Sequence, residues 1–267
     1  MEPLHEVNQN SCDFCAEIHG SKPLLPQINF PSLRSRLYLQ RETDGFFLLA
    51  DASPITSPHI LIIPNSHFEK YSLLDCSKLD KFISIIANSI EDNETAIFFE
   101  HGGYSCLRNG LCSEHAHLHI VISDGVKCRE ILDKIVTDGG RISKQYKSFR
   151  ILIENEVEPK NKDYLIFGYA TKKNVFVHEI FFDKIESQVL RNYVSSAMGK
   201  RPHITDIFTR QNAFLSTCKW LSERFTAYYP DIASQFNTIK SDITQHRLQS
   251  KEHCHGCTHD CPRAIKV

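Results

Sequence analysis

Between residues 113 and 122, His115, His117 and His119 alternate with Ala116, Leu118 and Ile120. Period two is the period of a β-strand, whose successive side chains point to opposite faces. The three imidazoles therefore share one face and the apolar residues turn toward a core. Neighbouring histidines on that face are spaced about 7 Å apart, the rise over two strand residues. The plain alternative is a half-buried strand with an ordinary polar face, for which a run of three imidazoles is a rare composition.

The rest of the chain alternates strand-like and helix-like stretches. Apolar, β-branched or aromatic runs at 36–39, 46–50, 59–64, 96–100, 149–153, 164–169 and 175–182 predict strands. Asp44-Gly45 and Thr171-Lys172-Lys173-Asn174 supply turns. Leu74, Leu79, Phe82, Ile83, Ile86 and Ile90 recur at three and four, which predicts an amphipathic helix over 74–92. Helices are also expected over 126–137, 186–198 and 211–249. Residues 101–112, with Gly102, Gly103 and Gly110, read as a loop leading into the histidine strand.

A chain of 267 residues is long enough for a sizeable core, as one large domain or one domain with a substantial extension. Its net charge of -1 provides no general basic field, so nucleic-acid binding is not favoured, although a local basic groove stays open. Residues 1–10 lack the basic start and apolar run of a signal peptide, and no stretch approaches the roughly 20 apolar residues that span a bilayer. A soluble cytoplasmic protein with no membrane partner is expected. Ten cysteines in such a chain read as metal sites and buried thiols rather than disulfides. Cys12-x-x-Cys15 is half of a zinc site. The tail, 251–267, has too few apolar residues to fold alone. Its Cys254, Cys257 and Cys261 with His259 suit a second zinc, the alternative being a metal-scavenging tail.

The run His115-Ala116-His117-Leu118-His119-Ile120-Val121 resembles the signature of the histidine-triad family. Upstream, Asp51 followed by Ser57-Pro58-His59-Ile60-Leu61-Ile62-Ile63-Pro64-Asn65-Ser66-His67 is similar to a second segment of that family. Phe99-Glu100-His101-Gly102 resembles a loop of one branch, and Cys12-x-x-Cys15 sits where zinc-containing members carry theirs. The resemblance covers residues 11–125. It implies an α+β fold, a histidine-triad-like antiparallel sheet with helices on one side, serving as a nucleotide-binding catalytic domain. Residues 126–250 would add a C-terminal α/β half packed on it, followed by the Cys/His-rich tail 251–267. Small relatives are often dimers, so the resemblance leaves two alternatives: a homodimer, or a C-terminal half that occupies the dimer surface instead.

The resemblance makes His117 a nucleophile toward the α-phosphorus of a nucleotide, with His119 and His59 binding phosphate oxygens or orienting it. A neutral imidazole, whose ordinary pKa is about 6.5, has the lone pair this requires. Asp51, Cys112, Gln188 and Arg191 fall at expected nucleotide-contacting positions, Asp51 toward ribose hydroxyls. Cys12, Cys15, His67 and His115 make a Cys₂His₂ set of the kind that tetrahedral zinc takes in structural sites. Lys172, Lys173, Arg191, Lys200 and Arg201 offer a phosphate-binding face, or simply a solvated one. Asn65 stands where relatives carry Lys, and Ser57-Pro58 where they carry glycine, which leaves the leaving group undefined.

Several activities fit these residues. A nucleotidyl hydrolase would act on a dinucleoside polyphosphate or nucleoside phosphoramidate through a nucleotidyl-histidine. A nucleotidyltransferase or phosphorylase would share that intermediate, and an aprataxin-like enzyme would remove adenylate from DNA ends. A catalytically silent nucleotide sensor is the non-enzymatic alternative.

Overall fold

The computed structural model describes residues 12–18, 45–68, 70–71, 74–102, 115–125, 128–156, 164–183 and 188–252. Outside them lie the strand expected at 36–39, most of the loop expected at 101–112 with Cys112, and Cys254, Cys257, His259 and Cys261 of the tail.

In chain order the elements are α1 (Asp13–Ile18), β1 (Phe46–Ala50), β2 (His59–Pro64), α2 (Ser77–Ser89), β3 (Glu94–Gly102), β4 (Leu118–Asp124), α3 (Cys128–Thr137), β5 (Arg141–Ile142), α4 (Phe149–Glu156), β6 (Tyr164–Ala170), β7 (Val175–Phe181), α5 (Val189–Ala197), α6 (Ile207–Phe225) and α7 (Ile232–Glu252). The strands form one antiparallel sheet in the order β1-β2-β4-β3-β6-β7-β5. This is a mixed α+β architecture. β3 pairs with β4 on one side and, from Ala96↔Ala170 to Gly102↔Tyr164, with β6 on the other. Residues on both sides of position 125 thus share one sheet. No described helix is long and apolar enough to cross a membrane.

Helices cover both faces of the sheet, not one as the family resemblance implies. On the first face, Leu48, Ile60, Ile62, Phe98, Leu118, Ile120 and Ile166 pack with α2, α4, α6 and α7. On the second, Ile97, Phe99, Val121, Leu165 and Phe167 pack with α3 and α5, while Phe47, Leu49, Leu61 and Ile63 pack with α1. The physical reason is visible in β1 and β2, whose residues are buried without alternation. A continuous apolar strand needs cover on both sides.

Two expected elements differ. Residues 149–153 were expected as a strand from their apolar, β-branched content, but they open α4. Phe149, Leu152 and Ile153 fall at helical spacing and enter the first-face core. Asp80 of α2 accepts hydrogen bonds from the Phe149 N–H (2.7 Å), the Arg150 N–H (3.3 Å) and the Ser148 hydroxyl (2.6 Å). Ser148 Oγ in turn accepts from the Ile151 N–H. The helix start is thus capped partly from a distant helix, which local periodicity does not reveal. The single helix expected over 211–249 is two helices, α6 and α7, separated around Pro230, which cannot continue a helical ladder. Asp80→Ala is expected to destabilise the chain by about 1–2 kcal/mol, the worth of a lost helix cap, as measured by denaturant unfolding.

Candidate functional site

The sheet register gathers residues far apart in sequence. β2 pairs with β4 so that His59 opposes Val121 and Leu61 opposes His119, while Phe99 of β3 opposes His119 from the other side. Asp51 follows β1 directly, and its N–H donates to the His59 carbonyl at 2.9 Å. Asp51, His59 and His119 therefore meet on the second face. The β4 ladder begins only at Leu118, so His115 and His117 lie in the segment leading into the strand. The rings still cluster: His117 and His119 are 4.9 Å apart between centroids, and Phe14 of α1 touches both His115 and His117. Phe99 stacks on His119 at 4.8 Å.

Hydrogen bonds assign the tautomers. The Ile55 N–H donates to His59 Nδ1 (3.0 Å), so His59 carries its proton on Nε2. That proton faces His119 Nδ1 at 3.1 Å, with Asp51 Oδ2 at 3.3 Å. His119 Nδ1 thus lies within reach of both the His59 proton and the Asp51 carboxylate. His117 Nδ1 lies 2.8 Å from the His115 carbonyl, to which it donates, leaving the Nε2 lone pair free. Thr217 of α6 holds the start of β2 by accepting the His59 N–H at 3.1 Å.

Asp51 is buried, and its neighbours explain how it stays ionised. Oδ1 accepts the Ser53 N–H (2.8 Å), and Oδ2 lies 3.3 Å from Arg191 Nη1 and 3.6 Å from His119 Nδ1. Burial opposes the charge, but His59, Arg191 and His119 outweigh it and hold the carboxyl well below the usual carboxylate range. Arg191, itself buried on α5, also donates to the carbonyls of Ser53 and Pro202. Burial lowers all three imidazoles: His59 well below its ordinary value, His119 to about 4, and His117 below 6.5. All three are neutral at pH 7.

A second group lies beside the first. Cys12, Cys15, His67 and His115 present ligand atoms within 4.8 Å of one another, buried except for the half-buried His67. Sulfur–nitrogen separations are 3.3 Å (Cys15–His67), 3.5 Å (Cys15–His115) and 3.6 Å (Cys12–His115). A tetrahedral zinc with ordinary bond lengths has such edges at about 3.5 Å. His115 Nε2 donates to the Pro64 carbonyl at 2.8 Å, which turns Nδ1 toward the sulfurs as a ligand. Burial, then the neighbouring Cys12, push the Cys15 thiol up to about 12. Only a bound cation would draw such a pair into the thiolate form. The four residues form a buried cluster of a kind that could hold a metal ion, compatible with zinc.

Asp51, His59 and His119 also lie within 4.8 Å of one another, but they suit a metal poorly. The Ile55 N–H fixes the His59 proton on the nitrogen an ion would need, and the Arg191 guanidinium already occupies Asp51.

The other expected residues divide. Arg191 is drawn into the buried cluster, while Gln188, one turn earlier, is exposed at the head of α5. Asp51 has both oxygens engaged by protein rather than turned toward solvent. Lys172 pairs with Asp92 (2.9 Å), away from Lys200 and Arg201. Glu100 lies in β3 as expected, and His101 and Gly102 extend that strand rather than opening the loop. Glu100 is buried beneath the Tyr164 hydroxyl, which donates to it at 2.9 Å, and burial raises its carboxyl to about 8. The parts sequence reasoning missed are Ile55, Ser53, Thr217 and Phe14, which act through backbone groups or packing and have no motif.

Compared with known proteins, the chain matches no family model and no curated protein. Cys15→Ser is expected to lose about one metal equivalent per chain relative to the unaltered protein, measured by elemental mass spectrometry, with a lower melting temperature.

Proposed function

We propose that the chain is a nucleotidyl hydrolase of the histidine-triad type, acting at an α-phosphorus through a covalent intermediate on His117. The observation that carries this reading is the 2.8 Å bond from His117 Nδ1 to the His115 carbonyl, which leaves a neutral imidazole lone pair on Nε2. In the first step Nε2 bonds to phosphorus as the phosphorus–oxygen bond to the leaving group breaks. In the second, water attacks phosphorus, the phosphorus–nitrogen bond breaks, and a nucleoside monophosphate leaves. An acceptor phosphate in place of water would make the same site a transferase.

His119 would present its Nε2–H to a phosphate oxygen on which charge develops. His59 would hold His119 in that tautomer. Asp51 would stabilise both through its ion pair with Arg191, a positioning role rather than the ribose contact expected from the resemblance. Zinc is the proposed ion of the Cys₂His₂ group. Four protein ligands complete a tetrahedron and leave no open position, so its role would be structural. It would fix α1, and Phe14 with it, against His117.

His117→Asn is expected to lower turnover of a dinucleoside polyphosphate by at least about a thousandfold, the scale on which a nucleophile matters. Rapid quenching with labelled nucleotide should give an adduct mapped to His117 by mass spectrometry. An active protein carrying no adduct would refute the mechanism. The pH profile offers a separate check. The nucleophile is active when neutral, so activity is present above the folded pKa of His117 and lost as pH falls through it. Because burial depresses that pKa, the midpoint of the acid-side fall in kcat/KM should lie below pH 6.5, the ordinary imidazole value.

A further inference from the structure

A shallow pocket of about 210 Å³ lies beside the Asp51 cluster, lined by Ile55, Lys200, Arg201, His203, Ile204, Thr205, Asp206 and Thr209. Two of its residues reach the cluster directly. Ile55 donates its N–H to His59. His203 Nδ1 is 3.3 Å from Ser53 Oγ, and the Ser53 N–H is bonded to Asp51.

The rim is built rather than loose. α5 is closed by Gly199, two residues past its end, with φ +62°, and the N–H groups of Gly199 and Lys200 return to the carbonyls of Ser196 and Ser195 at 2.9 and 2.8 Å. That Schellman arrangement fixes where Lys200 emerges. The carbonyl of Pro202 is held by Arg191, and that of Ile204 by Arg210. Asp206, the one acid of the lining, is turned onto the Thr209 N–H at 2.7 Å as the cap of α6. Lys200 and Arg201 are exposed and make no ion pair or side-chain hydrogen bond among the described residues. Two free cations thus face a concavity next to the histidines. The pocket is smaller than the roughly 300–1,000 Å³ that encloses a drug-sized ligand. It suits a phosphate group or a short phosphate chain, not a whole nucleotide.

We propose that this pocket is an anion subsite that takes the distal phosphates of the leaving group, so that the substrate is a nucleotide extended by a phosphate chain rather than a phosphoramidate. The substrate assignment rests on the hydrolase reading; the anion site itself does not. Lys200 and Arg201 would neutralise the chain in the ground state and hold it while the α-phosphorus meets His117.

The test compares the full chain with its Lys200→Ala/Arg201→Ala double variant. The ratio of kcat/KM on a dinucleoside tetraphosphate to that on a nucleoside 5′-phosphoramidate should fall about tenfold, the sum of two solvent-facing charge contacts. An unchanged ratio overturns the proposal. Inorganic triphosphate binding to the His117→Asn protein, measured by calorimetry, separates the two ideas. Salt-sensitive binding that is lost in the added double variant supports the anion site, even if no His117 adduct ever forms. Binding that survives the double variant, or no binding, overturns it. A single-stranded oligonucleotide that displaces triphosphate at far lower concentration would assign the patch to nucleic acid and likewise overturn it. Restoring the effect with Lys200→Arg/Arg201→Lys would show that charge, not local folding, is responsible.

Discussion

A buried carboxylate needs partners, and the second face of the sheet is arranged around one. Asp51 stands at the end of β1, under Arg191 from α5 and against the imidazoles of His59 and His119. Each partner comes from a different element, so the ion pair fixes how β1, β2, β4 and α5 sit around the histidines. Removing one side of such a pair generally costs about 3–5 kcal/mol because it strands the other charge. The same contacts set the chemistry. With Asp51 satisfied by Arg191, His59 and His119 stay neutral, and the Ile55 N–H places the His59 proton on Nε2, facing His119 and Asp51.

The metal-binding group solves a different problem. α1 is a six-residue helix, too short to be stable by itself. It packs through Cys12, Phe14 and Cys15 on Phe47, Leu49, Leu61 and Ile63. Cys12 just before this helix, Cys15 within it, His67 after β2 and His115 before β4 would tie it down through one cation. His115 belongs to that group, and its carbonyl orients His117. The Cys₂His₂ group and the proposed nucleophile are thus joined by two residues of backbone. Burial on both faces and neutral imidazoles go together, since a water-poor environment disfavours the charged ring.

Much of the sheet was legible because its strands are apolar, β-branched and bounded by turn residues: 46–50, 59–64, 164–169 and 175–182 all fall within a residue or so of the observed strands. The exceptions have physical causes. Residues 149–153 have strand-like composition, yet Asp80, distant in sequence, supplies the cap that makes them helical. The break between α6 and α7 had a local signal in Pro230, overridden by an otherwise helical pattern. The two-sided cover of the sheet was also present as unbroken apolar runs in β1 and β2, which the expectation of helices on one side passed over.

The amino-acid order by itself determined the alternation of histidine with apolar residues over 115–120, the Cys-x-x-Cys turn, and the supply of sulfur and imidazole groups for a metal. These are properties of local spacing and of side-chain chemistry. Only the tertiary structure decided that Asp51 is engaged by Arg191 rather than turned outward, that Ile55 fixes the His59 tautomer, and that Lys200 and Arg201 flank a pocket beside them. Those outcomes depend on strand register and on which helix end meets which strand end, and these are fixed by burying the whole sheet at once rather than by any local run of residues.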